Sequence, residues 1–154
     1  MTDINVHTAS FFEVIARVTV TEDDGTSRRK RMVASVEAAS FTEAEAAGTE
    51  YFSPEGEDVE IVNINPVPYR SVYVSRECGG WFRVKVKFII VDERTGAQKN
   101  SYAVHLVQAD STQQAQRIIT DSLRDSVVDY EIAAVAETPV CEVVFHTSRH
   151  GGDE

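Results

Sequence analysis

The chain has 154 residues, a formal net charge of -10 and 42% hydrophobic residues. The hydrophobic share is too high for a disordered chain, and no apolar run approaches the ~18 residues of a membrane-spanning helix. Residues 1–10 lack the basic start and apolar stretch of a secretory signal, and Cys78 and Cys141 are the only cysteines. We therefore expect a reduced, folded protein of the cytoplasm.

The first predicted element is a β-hairpin. From Phe12 to Val20 every second residue is apolar, which is the period of a strand with one buried face. The residues Asp23-Asp24-Gly25 follow as a turn, since glycine adopts the positive φ that tight hairpins require. A second strand is predicted over residues 32–38.

A helix is predicted next, with a well-marked start. Ser40 and Glu43 form a capping box, in which the serine hydroxyl accepts an orphan backbone N–H and the glutamate bonds back to the backbone. An apolar stripe at helical spacing follows, formed by Ala44, Ala47, Gly48, Tyr51 and Phe52. Such a stripe predicts an amphipathic helix that packs on a sheet.

The last segment of the unit, 59–74, is predicted to be extended. Pro68 interrupts it, and proline lacks the N–H that a ladder bond needs. The segment is therefore expected to split into two strands or to bend at a sheet edge. The unit consists of strand, strand, helix and strand.

The whole unit then occurs a second time. Residues 25–74 and 96–145 align without a gap at an offset of 71, and 12 of the 50 pairs are identical. The match includes the turn glycine (Gly96), the cap serine (Ser111, with Gln114 in place of Glu43) and Pro139. A long fixed period of this kind indicates a repeated structural unit.

The repeat predicts the fold class and the domain organisation. We expect an α+β protein built by tandem duplication of a ββαβ unit, with antiparallel sheets each packed by one amphipathic helix, related by a pseudo-twofold axis. A unit of about 65 residues forms only a marginal core alone, so the copies are expected to share buried surface. The predicted bounds are an N-terminal tail at 1–10, repeats at 11–74 and 81–146, a connector at 75–80, and a C-terminal tail at 147–154.

Charge is distributed unevenly along the chain. Between Glu37 and Glu60 there are eight acidic residues and no lysine or arginine. A solvated helix face with a soluble loop explains this stretch, and so does a surface that binds a basic partner, since spaced carboxylates imitate phosphates. The candidate protein interface comprises Glu50, Glu55, Glu57, Asp58 and Glu60.

Basic residues form two smaller groups. The run Arg28, Arg29, Lys30, Arg31 lies across the turn from Glu22, Asp23 and Asp24, so that cross-strand ion pairs explain it. Arg83, Lys85 and Lys87 share the wet face of the first strand in the second repeat. Under an alternative hypothesis these seven residues contact the phosphates of single-stranded nucleic acid. The overall negative charge argues against general nucleic-acid binding.

No catalytic or metal-binding constellation stands out. The histidines are His7, His105, His146 and His150, and Cys141 with His146 is too small a set for zinc. The matched carboxylates Glu60 and Glu131 are expected to make a repeated structural contact rather than to act as an acid–base pair. The chain is therefore predicted to have no enzymatic activity, no cofactor and no metal.

Three segments resemble a known family: Trp81-Phe82-Arg83-Val84-Lys85-Val86, residues 40–46 from the cap serine onward, and residues 129–133 with 137–139. They are similar to a domain-of-unknown-function family of bacteria, their mobile elements and their phages, over roughly residues 11–145. The resemblance implies a phage or mobile-element setting and no catalytic residues. We expect a binding protein that acts by protein–protein contact, in which the acidic helix and loop form the interface and which antagonises a host factor. The alternative is a nucleic-acid-binding accessory protein of replication or recombination. Homo-oligomers through open sheet edges are compatible with both.

Overall fold

The structure is a computed structural model that describes residues 3–5, by their backbone, and residues 10–145. The described residues form two compact units, one of residues 10–68 with 139–145 and the other of residues 3–5 with 69–138. Each contains one sheet and one helix, and we call them the four-stranded and the five-stranded unit after their sheets. His7, His146, His150 and most of both predicted tails lie outside the described residues.

The first strand of the chain, β1 (Asp3–Asn5), belongs to the five-stranded unit. The four-stranded unit begins with a long hairpin of β2 (Phe11–Thr21) and β3 (Ser27–Glu37). Gly25 in its turn has φ 88°, the positive value that favours glycine. Helix α1 (Phe41–Phe52) and a 3-10 turn (Ser53–Glu55) lead to β4 (Glu57–Val67), which is antiparallel to β2. The sheet order is β4-β2-β3-β9, where β9 is Val140–Val144.

The five-stranded unit repeats this course. Its hairpin is β6 (Gly80–Val91) with β7 (Gln98–Ala109), and Gly96 in the turn has φ 73°. Helix α2 (Thr112–Ser122) leads to β8 (Asp129–Glu137), which is antiparallel to β6. Strand β5 (Tyr69–Val74) lies beside β7, and β1 (Asp3–Asn5) covers the other side of β5. Because the hairpin, the helix and the two following strands of each repeat correspond in order, the duplicated α+β architecture is confirmed.

The last strand of each repeat belongs to the sheet of the other repeat. After Pro68, β5 pairs with β7, and after Pro139, β9 pairs with β3. Both pairings are parallel, so each sheet is mixed, whereas wholly antiparallel sheets were expected. The predicted split at the prolines is present, but the compact units cross the predicted repeat bounds. Residues 3–5, placed in a tail by the sequence, form a strand.

The helices bury the stripes that the sequence predicts. In α1, Ala44, Gly48 and Phe52 are buried against Phe12, Val14 and other even-numbered residues of β2. In α2, Ala115 and Ile119 are buried against the matching face of β6 and β7. Gly48 is required by close approach, because a Cβ atom there would lie 2.7 Å from Cγ1 of Val14. No helix among the described residues has the length and apolarity to cross a membrane.

Both helices start at the predicted caps. Ser40 Oγ accepts the N–H of Glu43 at 3.1 Å, and Ser111 Oγ accepts that of Gln114 at 3.1 Å. The side chains of Glu43 and Gln114 bond back to the residue before each cap serine. Glu43 accepts the N–H of Ala39, and Gln114 accepts the N–H of Asp110. Each cap contributes about 1 kcal/mol to helix stability.

Candidate acidic binding site

The four-stranded unit has a cavity of about 570 Å³ between α1 and β9. Four glutamates contribute to its lining, and none of its lining residues among the described part of the chain is a lysine or arginine. The lining consists of Glu37, Glu43, Glu50 and Glu55 with Ala46, Ala47, Tyr51, Pro54, Val144 and Phe145. The cavity is therefore acidic at its polar positions and apolar between them.

The helix period accounts for this grouping. Glu43, Ala46, Ala47 and Glu50 occupy one stripe of α1 at spacings of three and four residues, next to the stripe that is buried on the sheet. The 3-10 turn directly after α1 adds Glu55 to the same side. The stripe is thus set by local sequence, whereas the opposite wall is supplied by β9 from far along the chain.

The carboxylates differ in their surroundings. Glu37 is only 2% exposed, Glu43 accepts the N–H of Ala39 at 3.2 Å, and Glu50 and Glu55 are exposed. Several like charges along one concave surface generate a negative potential that favours cations. A partner with basic side chains is attracted most strongly to this cavity, because the apolar lining lowers the screening of the charges by water.

Tyr51 and Cys141 lie beside the cavity, with Tyr51 Oη 3.9 Å from Cys141 Sγ. Burial, and then the neighbouring Cys141, raise the pKa of the Tyr51 phenol above its usual range. Burial also raises the pKa of the Cys141 thiol. Both groups therefore stay protonated at neutral pH, and Cys141 lacks the thiolate character of a nucleophile.

The second repeat does not form the same site. At the positions that match Glu37, Glu43, Glu50 and Glu55 it has Gln108, Gln114, Asp121 and Ser126. Gln108 accepts the N–H of Ser75 at 3.0 Å and donates to the carbonyl of Cys78 at 2.9 Å. The connector between the repeats therefore bonds to Gln108, the residue that corresponds to Glu37 of the cavity lining.

The sequence-predicted interface is divided by the structure. Glu50 and Glu55 line the cavity, whereas Glu57, Asp58 and Glu60 lie on β4. Arg29 donates to the carbonyl of Asp58 at 2.7 Å and forms an ion pair of 3.1 Å with Glu60. Sequence reasoning did not select the other eight lining residues, among them Glu37, Glu43 and Val144, although the helical spacing of 43 and 50 was a usable signal.

The residues of the nucleic-acid hypothesis belong to two different units and several have partners. Arg28 pairs with Glu22, as the cross-strand explanation predicts, and Arg29 pairs with Glu60. The ammonium of Lys85 lies 4.7 Å from the ring centroid of Tyr102, and Lys87 forms an ion pair of 3.1 Å with Glu131.

The matched carboxylates Glu60 and Glu131 each pair with a basic residue of a nearby strand, Arg29 and Lys87 respectively. Both carboxylates make ion pairs, but the contact is not the repeated one that was expected, because Arg29 corresponds to Asn100 and Lys87 to Ala16. In the part of the chain that the structure describes, no three histidine, cysteine or acidic side chains are grouped so that they could hold a metal ion.

A buried serine–histidine pair lies in the five-stranded unit and was not predicted. Ser71 Oγ is 2.5 Å from His105 Nδ1, and the two residues are 4% and 5% exposed. Burial, followed by the charge of Arg70, lowers the pKa of His105 to about 4. The hydroxyl is not presented to a substrate, so the pair has the character of a core contact.

A second cavity, of about 560 Å³, lies in the five-stranded unit at the end of α2. Its lining combines apolar residues such as Phe88 and Leu123 with one cation, Arg70, and one carboxylate, Asp125. The charges are balanced, in contrast to the acidic cavity. This site therefore has no marked preference for a charged partner.

Comparison with family models gives one finding. Residues 10–147 match the family described as a domain of unknown function, DUF4494. The chain belongs to this family. Comparison with curated proteins and with solved structures gives no significant match.

Proposed function

We propose that this member of DUF4494 is a non-enzymatic binding protein that captures a basic partner protein at the acidic cavity. The observation that carries the proposal is the set of four glutamates along one apolar-lined cavity of about 570 Å³. Complementary charge at such a surface speeds association and selects basic partners. Glu57, Asp58 and Glu60 lie on β4 of the same unit, where Glu60 pairs with Arg29.

The proposal includes a biological setting. A phage or mobile element encodes the chain, which acts in the cytoplasm of the bacterial host and antagonises a basic host factor. This setting is supported by the resemblance described above and by the net charge of -10. A protein of this charge imitates the polyanion that a nucleic-acid-binding host protein recognises.

A titration with two probes tests the function. The first is a short fluorescent peptide in which arginine alternates with valine, and the second is labelled single-stranded DNA. Fluorescence anisotropy at low and high salt should show salt-sensitive binding of the peptide, since exposed charges are screened by added salt. Binding of the DNA instead, lost with salt, would establish the nucleic-acid alternative.

A matched pair of variants locates the binding. Glu50→Lys reverses a charge in the cavity, and Asp121→Lys makes the same change at the matching position of the second repeat. We expect Glu50→Lys to lower the affinity for the peptide roughly tenfold and Asp121→Lys to leave that affinity nearly unchanged. Equal effects of the two variants would show that net charge, rather than the cavity, attracts the peptide.

A further inference from the structure

The two sheets differ at one edge. In the five-stranded sheet, β5 has β7 on one side and β1 on the other. In the four-stranded sheet, the matching strand β9 has β3 on one side, and no strand of the described residues pairs with its other side. The repeat thus contains one edge that is filled by a short strand and an equivalent edge at which the described residues provide none.

The filled edge gives the geometry of the contact. β1 is antiparallel to β5, with Ile4 opposite Tyr73 and Asn5 opposite Val72. At the offset of 71, Tyr73 and Val72 correspond to Val144 and Val143 of β9. A strand that took the matching place on β9 would therefore have residues opposite Val143 and Val144.

Strand β9 has an exposed charged residue, Glu142. The N–H of Val143 donates to the side chain of the preceding residue, Glu142, at 3.1 Å. At the matching position of β5 the residue is Ser71, whose hydroxyl instead contacts His105. Charged side chains are a common means of protecting sheet edges.

The edge and the acidic cavity are adjacent. Val144 lines the cavity and packs against the hydrophobic cluster under α1. Residues directly opposite each other in an antiparallel pair have side chains on the same face. The residue opposite Val144 in an added strand would therefore direct its side chain toward the face where Glu43 and Glu50 lie.

We propose that the basic partner binds by strand addition: an extended segment pairs antiparallel with β9 and places an arginine or lysine, opposite Val144, in the acidic cavity. The inference rests on the proposed function and adds its mode of recognition. Main-chain bonds to β9 supply affinity without regard to sequence, and alternate side chains supply specificity. The glutamates select a basic residue at the position that Ile4 occupies on β5.

Backbone N-methylation of the arginine–valine peptide separates strand pairing from charge attraction. The methylated peptide keeps every side chain and loses the N–H groups that would bond to β9. We expect it to bind roughly tenfold more weakly than the parent peptide, which corresponds to the loss of one or two backbone hydrogen bonds. Equal affinity of the two peptides, with Glu50→Lys still weakening both, overturns strand addition and leaves the acidic-cavity function intact.

Amide hydrogen exchange of the full chain gives the second measurement. Binding of the parent peptide should slow exchange at Val143 or Val144 roughly tenfold or more, because a new strand encloses those amides. Unchanged exchange at both amides in the bound state refutes the proposal. Slow exchange at these two amides before any peptide is added also refutes the proposal. Sedimentation then shows whether a second copy or, in a monomer, the chain's own residues 146–154 occupy the edge.

Discussion

The buried His105 predicts a pH-dependent loss of stability. Its Nδ1 contacts the Ser71 hydroxyl, and its ring lies 5.9 Å from that of Tyr73, centroid to centroid. Burial and the charge of Arg70 lower the pKa of His105 from 6.5 to about 4. Protonation in the folded state is unfavourable because the imidazolium would lose its hydration and lie near a second cation.

The direction and size of the effect follow from proton linkage. Between pH 6.5 and about 4 the unfolded chain binds a proton at His105 that the folded chain does not bind, so the free energy of unfolding falls as the pH is lowered through this range. Above pH 6.5 the histidine is neutral in both states and stability is unaffected. The difference between the two pKa values corresponds to about 3 kcal/mol between pH 7 and pH 4.

Urea denaturation of the wild type and of His105→Ala, across this pH range, measures the effect. Alanine occurs at the matching position of the first repeat, Ala34, so the side chain suits this sheet position. Acidic groups elsewhere titrate alike in both proteins, and their contributions cancel in the comparison. From pH 7 to pH 4, the free energy of unfolding of the wild type should fall by about 3 kcal/mol more than that of the variant. Parallel pH profiles would refute the argument that buried His105 resists protonation.

Two further predictions concern the packing of α1. Gly48→Ala should lower the free energy of unfolding by up to about 2 kcal/mol, because the new methyl group would meet Val14 at 2.7 Å and this overpacking outweighs the ~1 kcal/mol that alanine gains over glycine in a helix. Urea denaturation measures this, and a variant about 1 kcal/mol more stable than wild type would contradict the close approach. Ser40→Ala should cost about 1 kcal/mol by removing the cap of Glu43 N–H; Thr42→Ala, in the first turn of the same helix, is the control, and an equal loss in both would show that the cap is not the cause.

The duplicated repeats have diverged around the same backbone. Gly48 of α1 corresponds to Ile119 of α2, which is completely buried. Phe52 corresponds to Leu123, and Tyr51 of the cavity lining to Ser122. Each helix therefore packs on its own sheet with side chains of different volumes. The acidic cavity follows from the first set, together with four glutamates that the second repeat replaces by two glutamines, an aspartate and a serine.

Local features were determined by the sequence alone. The turn glycines Gly25 and Gly96 and the cap serines Ser40 and Ser111 act within a few residues of themselves, through positive φ or a side-chain bond to a nearby N–H. The alternation of β2 and β6 determines which side of each strand is buried. The repeat extends these local statements to both halves of the chain, which is why the element order was predictable.

The destination of the last strands was decided only by the tertiary structure. Pro68 and Pro139 indicate a break, but no local property specifies whether the following strand pairs with its own repeat or with the other. That choice depends on contacts between residues far apart in sequence, β5 with β7 and β9 with β3. The cavity depends on the same choice, because β9 brings Val144 from the end of the chain to the glutamates of α1. A sequence pattern specifies faces and breaks, whereas only packing selects the partner across a sheet.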